Sequence, residues 1–85
     1  MAGPVTPEAI REEILRQVAA RGAGKSICPS EVARALEPEA WRPLMGAVRR
    51  EAAALAATGQ LDILRKGKPI APEAMRGVIR LGAKP

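Results

Sequence analysis

The sequence predicts a mostly α-helical domain with a small antiparallel β-hairpin or three-stranded sheet. Three observations carry that expectation. Pro29–Gly59 contains two helical patterns in succession, joined by a short connection that includes Pro38. Beyond Gly59, short stretches of alternating apolar and polar residues flank a segment rich in Lys, Gly and Pro. The apolar fraction is 47%, yet Trp41 is the sole aromatic residue, so the core is filled by Leu, Ile, Val, Met and many alanines. Alanine favours helix and close helix packing.

The first helix is expected to begin at Thr6-Pro7, an N-cap oxygen followed by a proline in the first turn, where no amide donor is needed. Ile10, Ile14 and Val18 recur at i, i+4 and i+8 and form its buried stripe, with Leu15 at the edge. Glu12 and Arg16 are spaced for an i, i+4 pair on the outer side. Gly22 and Gly24 stop the helix near Arg21. Lys25–Cys28 reads as a first short strand with Ile27 turned inward.

Pro29 opens the second helix, whose inner face holds Val32, Ala33 and Leu36. Pro38 resets the backbone before Trp41. The third helix runs from Arg42 or Pro43 to Thr58, and Gly59 ends it. Leu44, Met45, Val48, Ala52, Leu55 and Ala56 fall within one arc of about 120°. Trp41 extends that arc and is expected to be the core's largest filler. Gly46, Ala53 and Ala57 leave the outer side low.

Gln60–Arg65 and Val78–Leu81 read as paired strands. Between them come a basic turn, Arg65–Pro69, and a loop, Ile70–Arg76, containing one helical turn. The expected division is a loose tail over residues 1–5, one domain over 6–82 and a short tail over 83–85.

Two local motifs carry less than they suggest. GAGKS at Gly22–Ser26 matches the end of a phosphate-binding loop, but Ala19 stands where its first glycine belongs, and a helix precedes it instead of a strand. Cys28 lies at a helix N-terminus, which favours a thiolate, while Glu31 disfavours one, so a structural role is expected.

Composition narrows the function. No apolar run approaches the length of a membrane span, and the first residues do not form a secretion signal, so a cytoplasmic protein is expected. One cysteine and no histidine leave no zinc cage and few groups for general acid–base work. No catalytic, cofactor-binding or metal-binding residue is assigned, and no enzyme is expected. Residues 1–41 carry a net charge of −1 and residues 42–85 a net of +6. That asymmetry points to an anionic partner, or serves only solubility.

Two successive helices followed by a hairpin with a basic loop give the order of a winged helix-turn-helix. In that arrangement the third helix enters the major groove, led by Arg42, Arg49 and Arg50, while Arg65, Lys66 and Lys68 hold backbone phosphates.

The runs RGAGKSICPSEVARAL (21–36), W-R-x-L-M-x-x-V-R (41–49), A-x-L-x-x-x-G (53–59) and RKGKPI (65–70) closely resemble small bacterial proteins grouped as domain of unknown function 3253. The likeness spans about residues 9 to 82 and implies a winged-helix fold. It implies no activity and brings no catalytic residues. A transferase label attached to some relatives does not carry over, because nothing in the sequence resembles a cofactor pocket.

Two functions follow as expectations. The first is a regulatory module that binds double-stranded DNA. The second is a protein-docking winged helix, in which Met45, Met75, Ile70 or Leu64 would lie on an exposed apolar patch. RNA single strands are the poorer fit, since stacking aromatics are missing.

Overall fold

The computed structural model describes residues 5–84. Three helices lie on one face of a small antiparallel sheet. They are α1 (Pro7–Arg21), α2 (Pro29–Leu36) and α3 (Met45–Ala57), and each packs against the other two. The strands are β1 (Ser26–Ile27), β2 (Asp62–Arg65), β3 (Lys68–Ile70) and β4 (Arg80–Gly82), in spatial order β1-β4-β2-β3. The molecule is therefore mostly helical with a four-stranded sheet, one strand more than the sequence predicts. This arrangement is compatible with a winged-helix-like fold.

Local chemistry explains the helix ends. Thr6 Oγ1 accepts the Ala9 amide at 3.1 Å and Pro7 begins α1, which ends at Gly22 with φ of 91°. Cys28 is the N-cap of α2, and the Glu31 carboxylate reaches back to accept its amide at 2.8 Å. A 3-10 turn over Arg42–Leu44 leads into α3, because Pro43 suits only a first turn. At the far end the Gly59 amide donates to Ala56 and the Gln60 amide to Leu55, with Gly59 at φ of 78°. These two bonds close a Schellman motif.

The predicted stripes meet in one core. Ile10, Ile14 and Val18 of α1, Val32 and Ala33 of α2, and Val48, Ala52 and Leu55 of α3 are all buried. They face a row that crosses the sheet, in which Ile27 pairs with Leu81, Leu81 with Ile63, and Ile63 with Ile70. Leu61 and Ile79 complete the buried set. Partners across a ladder share a face, so Arg80, Leu64 and Pro69 form a second row on the opposite, solvent side.

Several expectations need correction. Lys68–Ile70 is a strand, not the end of a turn, although it contains Pro69. Arg65 and Lys68 close a two-residue turn in which Lys66 and Gly67 both have positive φ, 52° and 80°. That is the signature of a type I′ hairpin. Alternation along the ladder puts Pro69 at a position that does not bond to β2, where its missing N–H is no loss. The returning strand starts at Arg80, and Val78 stands 86% exposed before it.

Arg16 pairs with Glu13 rather than Glu12, its Nε donating to Glu13 Oε1 at 3.0 Å. Spacings of three and four both reach across a helix, and Glu13 is also held by the Gln17 amide at 2.7 Å. Glu51 forms an ion pair between helices. It is half-buried and accepts a 2.6 Å bond from Arg11, joining α3 to α1. The expected tail over residues 1–5 lies outside the described residues except for Val5, which is half-buried against the core. At the other end Ala83 packs on the core and Lys84 approaches Asp62 at 3.7 Å.

Candidate nucleic-acid interface

The six basic residues singled out in the sequence occupy two places. Arg42 opens the 3-10 turn, and the neighbouring Arg49 and Arg50 both lie about two turns along. Arg42 and Arg50 are exposed, while Arg49 is half-buried. Arg65, Lys66 and Lys68 lie together on the β2–β3 hairpin and are all exposed.

The outer side of α3 is open. Gly46, Arg50, Ala54 and Ala57 are exposed, and a methyl group added at Gly46 would meet no atom within 4 Å. Ala53 is half-buried, which narrows the open face relative to the sequence reading. A second 3-10 turn, Pro72–Ala74, packs along α3. Arg65 Nη1 donates to the Ala74 carbonyl at 3.4 Å. The turn end of the hairpin thus reaches, through that 3-10 turn, the flank of α3.

Trp41 departs from its expected role. It rests half-buried at the edge of the core, and its ring carries two guanidinium groups, Arg34 Cζ at 4.3 Å and Arg42 Cζ at 4.5 Å from the ring centre. The quadrupole of the indole attracts both cations and fixes two flexible side chains beside the start of α3. Arg34 was not among the residues foreseen, because its meeting with Trp41 depends on how the connection folds.

Among the described residues, ion pairs hold two of the five cations in residues 1–41 and one of the nine in residues 42–85. In the first half, Arg11 pairs with Glu8 and Glu51, and Arg16 with Glu13. Hydrogen bonding from Arg16 holds the Glu13 carboxyl below its usual range against the opposing effect of burial, and raises Arg16 in turn. In the second half, Lys84 is the one cation with a carboxylate within 4.0 Å among the described residues. All six predicted contacts lack one among the described residues. Lys66 also sits at φ of 52°, a backbone state that costs a non-glycine residue about 1–2 kcal/mol. The hairpin tip carries a lysine where Asn or Gly would be easier.

Three helices on a four-stranded sheet, with a basic hairpin reaching the last helix, make a small domain compatible with a winged-helix-like fold. The chain belongs to the family described as Protein of unknown function (DUF3253), whose model matches residues 7–84. Comparison with curated proteins gives no match.

Proposed function

We propose that the chain is a winged-helix module that binds double-stranded DNA in a regulatory role within the cytoplasm, and that it is not an enzyme. Arg42, Arg49 and Arg50 direct α3 into the major groove, and Arg65, Lys66 and Lys68 lie on backbone phosphates. The observation that carries this reading is the unpaired charge of α3 and the hairpin beside an outer helix face left low by Gly46. A cation already bonded to a carboxylate must lose that bond before it neutralises a phosphate, and among the described residues these six have none to lose. The apolar patch expected of a protein-docking module finds less support, since Met45, Leu64, Ile70 and Met75 are all half-buried.

The test is a titration with mixed-sequence duplex at several salt concentrations. With about four phosphates neutralised, log K falls against log salt with a slope of about −3.6. Arg49→Ala with Arg50→Ala shallows that slope by about 1.8 if each holds one phosphate. Failure to bind duplex at about 50 mM salt, where such attraction is weakly screened, overturns the proposal.

A further inference from the structure

The solvent face of the sheet carries a cleft lined by no residue of α3. It lies between the β2–β3 turn and the segment leading into β4, with a volume of about 370 Å³. That is within the range of about 300–1,000 Å³ found for small-molecule sites. Leu64 and Val78 supply apolar wall, and Arg65, Lys66, Arg76 and Arg80 surround it. Among the described residues no carboxylate lines it.

Two of those cations are anchored by neutral partners. Arg80 Nε donates to Ser26 Oγ at 2.7 Å and its Nη2 to the Ser26 carbonyl at 3.0 Å, while Arg65 reaches the Ala74 carbonyl. Such bonds fix a guanidinium in place without cancelling its charge, and each keeps N–H groups to spare. Gly67 and Gly77 also line the cleft, at φ of 80° and 64°, and neither has a neighbour within 4 Å of where a Cβ would stand. Their bare backbone leaves room for a ligand to approach.

We propose that this cleft binds a small organic anion, an apolar chain or ring ending in a phosphate or carboxylate. The charged end meets the arginines and lysine, and the apolar end covers Leu64 and the outstanding Val78 side chain. A free inorganic anion satisfies the first feature but not the second, and a neutral apolar molecule does the reverse. Because Arg65 and Lys66 belong to both surfaces, such an anion competes with duplex phosphates at the hairpin.

The experiment uses the ¹⁵N-labelled full chain, without nucleic acid, titrated with hexyl phosphate, inorganic phosphate and hexanol while amide shifts are followed. Hexyl phosphate is expected to saturate, shifting the amides of Leu64, Gly67, Gly77 and Val78, and to bind about tenfold more tightly than inorganic phosphate. Arg76→Gln and Val78→Ser each weaken it about fivefold. Both side chains are exposed and neither forms a described hydrogen bond, so the variants retain the fold. Equal affinity for hexyl and inorganic phosphate, saturation by hexanol alone, shifts centred on α3, or indifference to both substitutions overturns the proposal. Since no duplex is present, none of these outcomes bears on DNA binding.

Discussion

Trp41 shows how one side chain organises others. Its ring is large enough to hold two guanidiniums, and among the described residues no carboxylate lies within 4.0 Å of either. Each stacked cation at an exposed site is worth about 0.5–1 kcal/mol. Arg34→Ala is therefore expected to lower unfolding stability by that amount in urea, with the single tryptophan's fluorescence as the readout. Arg34→Lys recovers part of it. Glu13 offers a second residue-scale prediction. Its folded pKa is depressed, so the unfolded chain binds the proton more readily and stability rises with pH through that range. The contribution is present above the ordinary glutamate pKa and disappears as pH falls through the lower folded value. Glu13→Gln should flatten this part of the acid limb, as followed by circular dichroism, and leave neutral-pH stability lower than in the parent.

At the scale of the element, the hairpin is a compromise between backbone ease and charge. Lys66 occupies a turn position suited to Asn or Gly, and Arg65 faces Lys68 directly across the ladder. Like charges so placed repel. Lys66→Asn is expected to stabilise the fold by about 1 kcal/mol and to shallow the salt dependence of duplex binding by about 0.9. Denaturation and the salt titration measure the two effects separately. A stability gain with unchanged binding would remove the hairpin tip from the interface.

Across the whole molecule, what was legible in the sequence was local. Ile10, Ile14 and Val18, and again Val48, Ala52 and Leu55, announce their helices because burial follows the helical period. Thr6-Pro7 and Gly59 mark helix ends by chemistry that acts within a few residues. The strand β3 was hidden because its pattern, Lys-Pro-Ile, has the composition of a turn and its identity comes only from pairing with β2. The same limit applies to the surface. The six basic residues on α3 and the hairpin stand close in sequence and could be named. Arg80 meets Ser26 across 54 positions, and Arg76 joins the sheet-face cleft only because the chain returns beside the hairpin.

Pro69 has a consequence for how copies of the chain behave toward one another. β3 is an outer strand, and its imide nitrogen is directed away from β2, where an ordinary residue would offer a donor to any strand arriving from solution. At the opposite border, β1 is only two residues long. Neither margin is a good template for extending the ladder into another molecule. Replacing Pro69 with Val should restore that donor and promote association in concentrated solution, visible as a rise in light scattering. The parent chain is expected to stay dispersed under the same conditions.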